Sequence, residues 1–179
     1  MVSLRLDQVT LAGGTAATRE VVEHPGAVAV AAVDGQGRVA MVRQYRHPAR
    51  QELDELPAGK LEREEDPLAA AKRELQEETG QVAQTWELLA DFFTTPGFSD
   101  ERMRLYLARD LRQGEMHLDD DEELEAFWVD LQEAATAALA GRYRDAKTIA
   151  GILLAQGRLA SQLGRGAKGS EGAEQPCRN

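Results

Sequence analysis

The 179-residue chain has a single cysteine, Cys177, so an intramolecular disulfide and a cysteine-based metal site are excluded. Its three histidines (His24, His47, His117) are scattered without the spacing of metal ligands. Basic residues are in the minority: 21 Lys and Arg against 31 Asp and Glu leave a formal net charge of −10. Such a chain lacks the basic face used in sequence-independent nucleic-acid binding, so no nucleic-acid partner is expected. A small anionic substrate is not excluded, because local cations and bound metals can reverse the potential inside one cleft. No apolar run approaches the length that spans a bilayer, and no N-terminal h-region is visible. No membrane partner and a cytoplasmic location are therefore expected.

What the chain does hold is a globular mix, 42% apolar and 29% charged, long enough for one domain with a real core. Two alternating stretches near the start, VSLRL and REVVEH, read as strands. In GAVAVAAVDGQGRVAMVRQYRH, two Val/Ala-rich runs flank Asp34-Gly35-Gln36-Gly37, a strong hairpin turn. QELDELPAG reads as a short extended segment, TWELLADFFT and ERMRLYLAR as strands joined by TPGFSD, and AFWV as another strand. DLQEAATAALAGR opens with an Asp130-to-Glu133 capping box and reads as a helix. DAKTIAGILLAQGRLASQL reads as a final amphipathic helix. From Gly164 onward apolar residues nearly vanish, and 164–179 are expected to form a disordered tail. This order of strands and helices predicts an α/β domain, a mixed sheet flanked by helices.

The stretch GKLEREEDPLAAAKRELQEETG, residues 59–80, gathers carboxylates. Asp66 suits an N-cap, Pro67 a first helical position and Gly80 a left-handed stop, which predicts a helix over Pro67–Thr79. At about 100° per residue, Leu68, Ala71 and Leu75 share one face, and Glu74, Glu77 and Glu78 an adjacent one. Three carboxylates near a helix C-terminus oppose one another and the helix dipole. Each adverse pair costs only about 0.2–0.5 kcal/mol, so a merely solvated acidic face is tolerable. A divalent cation explains the stripe better: Mg²⁺ takes oxygen ligands and clamps substrate phosphates. Arg73 stands four residues before Glu77 and can pair with it.

The spacing decides between these readings. Gly59, five residues, Glu65, seven residues, then Arg73-Glu74-Leu75-Gln76-Glu77-Glu78-Thr79-Gly80 resembles the Nudix box, G-x5-E-x7-R-E-U-x-E-E-x-G-U, where U is bulky and apolar. The one departure is Gln81, at a position where an apolar residue usually packs the helix end. VRQYRHPARQELDELPAGKLE is similar to the segment before the box in ADP-ribose pyrophosphatases of that superfamily. Pro96, sixteen residues beyond Gly80, matches their characteristic proline, and DAKTIAGILLA resembles their C-terminal helix. Asp54 stands where an aromatic residue often precedes ELPAG, against a stacking role there.

The resemblance implies a Nudix-type α/β/α sandwich with a mixed sheet over residues 25–163. Residues 1–24 would form an N-terminal antiparallel strand region, exchanged in a homodimer and contributing to the adenine site. The implied activity is Mg²⁺-dependent hydrolysis of ADP-ribose to AMP and ribose 5-phosphate. The alternatives are another nucleoside diphosphate sugar, such as GDP-mannose, or a catalytically silent module that senses ADP-ribose. Two or three Mg²⁺ ions, or Mn²⁺ in their place, would be held by the Ala58 carbonyl, Glu74 and Glu78, with Glu77 on a further ion. Arg73 would orient these carboxylates and Glu65 brace the loop. Plainer roles stand beside these: Glu65 as a cap at the start of the helix, and Glu77 as the salt-bridge partner of Arg73. Arg46 would hold a substrate phosphate, as suits an arginine just beyond a buried strand; its alternative is a surface arginine. Glu55 would contact substrate or simply end its strand, and Pro96 would border the substrate. Phe93 and Phe98 would line the pocket or, as is commoner for Phe, pack in the core. A glutamate outside the box, in the acidic run before AFWV, would activate the attacking water. Alignment on VDLQEA favours Glu122, with Glu123 the near alternative.

Overall fold

The computed structural model describes residues 3–117 and 123–169, the side chains of 163–169 excepted. Strands β1 (Ser3–Thr10) and β2 (Ala16–Glu23) pair antiparallel as a sheet of their own. The centre is β3 (Ala27–Ala32), which pairs parallel with β8 (Arg102–Gln113) and antiparallel with β6 (Ala58–Lys60). β7 (Gln81–Phe93) completes this mixed sheet in the order β6-β3-β8-β7. A second, antiparallel sheet has the order β5-β4-β9, from β5 (Gln51–Glu55), β4 (Arg38–Arg46) and β9 (Leu124–Asp130).

Alternating side chains of β3 and β8 explain the layering. Val28, Val30, Ala32, Tyr106 and Ala108 pack against Ala70, Ala71 and Leu75 of α1 (Pro67–Thr79). Ala31, Val33 and Leu107 point the other way, into a core shared with α2 (Leu131–Leu139) and α3 (Ala146–Gly169). A strand covered on both faces reads as continuous apolar sequence, as AVAVAA does. The result is the expected α/β/α arrangement around mixed strands.

The expected helix limits hold at α1. Asp66 accepts from the Leu68 and Ala69 amides at 3.0 Å, Pro67 opens the helix, and Gly80 closes it at φ 68°. Asp130 likewise caps α2 by accepting from the Glu133 amide at 3.0 Å.

Four expectations change. The turn at Asp34–Gly37 forms, but β3 and β4 touch only at the Val33–Val39 bridge before parting into different sheets. A strand has two hydrogen-bonding edges; β6 and β8 occupy those of β3, and β5 and β9 those of β4. Gln81 is buried like the apolar residue it replaces, and its amide is satisfied by Gln113 Oε1 at 2.7 Å. α3 continues to Gly169, beyond Gly164 where a disordered tail was expected to begin, and the rest of that expected tail, 170–179, lies outside the described residues. Helix growth adds one hydrogen bond per residue, and it carries α3 through Gly164 and Gly166 although glycine disfavours a helix. Phe93 and Phe98 are not core residues: at the β7–β8 connection they remain 55% and 57% exposed. Among the described residues, no helix is long and apolar enough to cross a membrane.

Candidate active site

A cavity of about 750 Å³ opens between the β6–α1 segment, the end of β4, the β7–β8 connection and the start of α3. The described lining brings together Arg46, Ala58, Arg73, Glu74, Glu77 and Glu78, six residues singled out from the sequence.

On the acidic wall, Arg73 is the hub. Its Nε and Nη2 donate to Glu65 at 3.0 and 3.1 Å, and Nη1 to Glu74 and Glu77 at 2.8 Å each. Nη2 also reaches the Lys60 carbonyl at 3.3 Å. The hydrogen bonds with Glu65 raise the Arg73 pKa further above its ordinary value, and the same contact holds the Glu65 carboxyl low. Glu65 therefore braces the loop: besides Arg73, it accepts from the Glu62 amide at 2.9 Å. Its expected role in the loop is met, and the Asp66 side chain takes the cap.

Glu78 is almost fully buried and accepts from the Ala58 amide at 3.0 Å, tying the helix to β6. Gly59 carries the closest approach in the site. A Cβ there would lie 1.8 Å from Glu74 Oε1, so the glycine makes room for a carboxylate rather than for a turn.

Elsewhere in the lining, Arg46 and Lys147 converge on one buried carboxylate. Glu55 is 1% exposed and accepts from Arg46 Nε and Nη2 at 2.8 Å each. Lys147 Nζ donates to the same Glu55 and, at 2.9 Å, to Asp145. Burial alone would push the Glu55 pKa up, but the Arg46 hydrogen bond and the Lys147 charge overcome it and leave it low. The Glu55 hydrogen bond in turn raises Arg46. Glu55 is the last residue of β5, as one reading had it; it also holds Arg46 and is not among the described lining residues.

The remaining candidates are less central. Pro96 is exposed in the β7–β8 connection and absent from the described lining, whereas Thr94 and Glu101 of that connection do line the cavity. Asp54 pairs with Arg43 at 2.7 Å, away from the site. Glu123 is exposed immediately before β9, whose first residue, Leu124, pairs with the cavity-lining Gln44. Glu122 lies outside the described residues.

Sequence reasoning missed Asp145 and Lys147, although a signal was present. Asp145 precedes α3 and accepts from the Thr148 amide at 3.0 Å, an ordinary cap. A lysine in the first turn, however, opposes the helix dipole, and such local violations mark functional positions.

The donor set suits a hard divalent cation. Glu74, Glu77, Glu78 and Ala58 offer only oxygen, and the glycine cradle brings Glu74 to the β6 backbone. Among the described residues, no three His, Cys, Asp or Glu side chains converge as a ready-made metal cage.

Comparison with known proteins agrees with this geometry. The chain is 47% identical over 155 residues to an ADP-ribose pyrophosphatase of Mycobacterium tuberculosis, covering 84% of this chain and 74% of that one. It is 42% identical over 150 residues to the ADP-ribose pyrophosphatase of Bacillus subtilis, covering 83% and 81%. It is also 43% identical over 154 residues to a methanol dehydrogenase activator of Bacillus methanolicus, covering 85% and 83%. A crystal structure of an ADP compounds hydrolase shares the fold, with a TM-score of 0.78 at 20% identity over 90% of this chain and 88% of that one. The NUDIX domain profile matches residues 15–151, and the chain belongs to the Nudix family of divalent-metal-dependent hydrolases.

Proposed function

We propose that the protein hydrolyses the diphosphate bond of ADP-ribose, giving AMP and ribose 5-phosphate. The observation that carries this reading is that Glu74, Glu77 and Glu78 line the same cavity as Arg46. A diphosphate needs both: cationic donors for its outer oxygens and a carboxylate shell beside the scissile bridge. The two pyrophosphatase relatives supply the choice of ADP-ribose. GDP-mannose is not favoured, and neither is a silent sensor, which has no use for the full set of box glutamates.

Arg46 holds a phosphate oxygen, oriented by its paired bonds to Glu55. Glu74, Glu78 and the Ala58 carbonyl are the residues that would hold Mg²⁺ or Mn²⁺, with Glu77 on a further ion and two or three ions in all. When bound, these ions supply charge neutralisation at the phosphates. Arg73 fixes the direction of Glu74 and Glu77. Water attacks one phosphorus as the P–O bond to the bridging oxygen breaks, and the proton of the water passes to Glu122 or Glu123. The pairing of Leu124 with Gln44 at the cavity supports that placement of the base. Pro96 and the β7–β8 connection border the sugar side of the substrate.

The same reading includes a homodimer. The cavity lining described in one chain holds no aromatic ring on which adenine could stack. Leu4 and Leu6 are largely exposed on the separate β1–β2 hairpin, as suits residues 1–24 packing on a second copy. An intracellular nucleotide substrate implies a cytoplasmic location.

The test is phosphate release from ADP-ribose with Mg²⁺ or Mn²⁺, using alkaline phosphatase to strip the two monophosphate products. GDP-mannose runs in parallel. No release from ADP-ribose with either metal rejects the substrate.

A further inference from the structure

The start of α3 carries a device that neither wall of the site explains by itself. Lys147 and Arg46 come from elements far apart in sequence yet converge on one carboxylate, Glu55. Their exposures differ: the Arg46 side chain is 39% exposed and that of Lys147 13%. Both residues line the cavity, the arginine openly and the lysine mostly covered by protein. Lys147 also donates to Asp145, whose Oδ2 accepts from the Thr148 amide at 3.0 Å and its hydroxyl at 2.5 Å. The Thr148 hydroxyl oxygen in turn accepts from the Leu56 amide at 2.9 Å, and Thr148 is fully buried. Leu56 is two residues from Ala58, whose amide is bound to Glu78. A continuous set of hydrogen bonds and backbone thus runs from Arg46 through Glu55, Lys147 and Thr148 to the acidic helix.

Charge explains why a lysine is needed at a position the helix dipole disfavours. With Arg46 as its sole partner, buried Glu55 would consume the arginine's charge and draw it toward the protein. Asp145 is already engaged at the N-terminus of α3. Lys147 therefore offsets Glu55, leaving the Arg46 guanidinium oriented by two bonds but electrostatically available to an anion.

We propose that Lys147 is a positioning residue that acts through Glu55 to present Arg46 to the substrate diphosphate. This rests on the hydrolase reading above, and it assigns Lys147 a role in substrate affinity rather than in proton transfer.

The test uses the full chain with Lys147→Met, Lys147→Gln and Lys147→Arg, each checked first by thermal melting. With ADP-ribose and Mg²⁺, Lys147→Met and Lys147→Gln should raise KM by about tenfold or more, with kcat changed by less than about threefold, the pattern of lost uniform binding. Lys147→Arg, which keeps the charge, should restore most of the affinity. In an Arg46→Ala background, Lys147→Met should add less than about twofold, because its route to the ligand is gone. Wild-type KM in both uncharged variants overturns the proposal, as does an undiminished effect without Arg46, or a Lys147→Arg variant as weak as Lys147→Met. Calorimetry with inorganic pyrophosphate and Mg²⁺ reads the same effect without turnover. If the wild type binds pyrophosphate but leaves ADP-ribose intact, the substrate reading fails. The Lys147 proposal then stands or falls on whether pyrophosphate affinity drops by about tenfold in the uncharged variants; unchanged affinity rejects it.

Discussion

Replacing Gly59 by alanine probes the acidic wall by shape alone. Gly59 sits in β6 opposite Val28 and does not use left-handed angles, so alanine adds no backbone strain. Its Cβ would stand 1.8 Å from Glu74 Oε1, 2.0 Å from Cδ and 2.4 Å from Oε2. Ordinary contact requires the carboxylate to withdraw by about 1.5 Å. Mg²⁺ holds its oxygens at about 2.0–2.1 Å with little tolerance, so a withdrawal of that size removes Glu74 as a ligand. The same movement breaks the 2.8 Å bond from Arg73 Nη1, a charge-assisted contact of roughly 1.5–3 kcal/mol. Arg73 keeps Glu65 and Glu77, so the fold should lose no more than the lower end of that range. A transition state deprived of several kcal/mol of charge stabilisation predicts a kcat lower by about 10²–10⁴. The assay is an Mg²⁺ titration of ADP-ribose hydrolysis beside thermal melts with and without Mg²⁺. Metal that binds only the native state raises the wild-type Tm, and Gly59→Ala should lose that rise. Wild-type turnover together with a wild-type Mg²⁺-dependent Tm shift in Gly59→Ala would refute the reasoning.

Glu78→Gln keeps an acceptor for the Ala58 amide, so stability should stay within about 1 kcal/mol while kcat falls by about 10²–10⁴; near wild-type turnover at saturating Mg²⁺ removes Glu78 from the ligand set. Deleting residues 1–20 should weaken ADP-ribose binding and dimerisation together, and sedimentation of a fully active monomer contradicts the exchanged hairpin. The Glu55 carboxyl lies below its ordinary 4.5 in the folded protein, so its stabilising contribution is complete above that pH and disappears as pH falls through the lower folded value. Glu55→Gln should therefore melt earlier at neutral pH and show a shallower acid decline in Tm; parallel Tm–pH curves for the two proteins reject the coupling. Glu122→Gln should lower kcat by about 10²–10⁴ with substrate affinity kept. If Glu123→Gln alone does so the base is one residue later, and if neither does it lies elsewhere.

The parts of the fold legible in the sequence are those encoded locally. Asp66, Pro67 and Gly80 define α1 within one segment, and the box spacing locates its glutamates without any knowledge of the sheet. The partners of β3 and β4 were not legible, because the hairpin signal at Asp34–Gly37 specifies the turn and not which distant strands take the outer edges. Gln81 read as a departure; its compensation is Gln113, thirty-two residues away, so the pair is visible only once β7 and β8 are side by side. Glu55 was ambiguous for a related reason. Its burial depends on α3 supplying Lys147 ninety-two residues later, and no local pattern carries that information. The two phenylalanines show the reverse limit, since a hydrophobic residue type does not say whether its side chain is covered.

The acidic helix is best understood by what the protein does and does not offset. One guanidinium, Arg73, serves Glu65, Glu74 and Glu77, and the Ala58 amide serves Glu78. Arg46 adds a favourable field at Glu78, while its hydrogen bonds go to Glu55. Three carboxylates therefore share one guanidinium with Glu78 close by, and acidic residues outnumber basic ones in the lining. A helix optimised only for stability would replace one of these glutamates by a neutral residue and gain a few tenths of a kcal/mol. Retaining them makes sense where a divalent cation offsets the surplus during turnover. Arg73 then has a second task that follows from its geometry. By engaging Glu74 and Glu77 through the same Nη1, it holds both carboxylates beside one positive charge and fixes their orientation. An Arg73→Lys variant would keep the charge but lose the fork, so the cost falls on orientation rather than on net electrostatics.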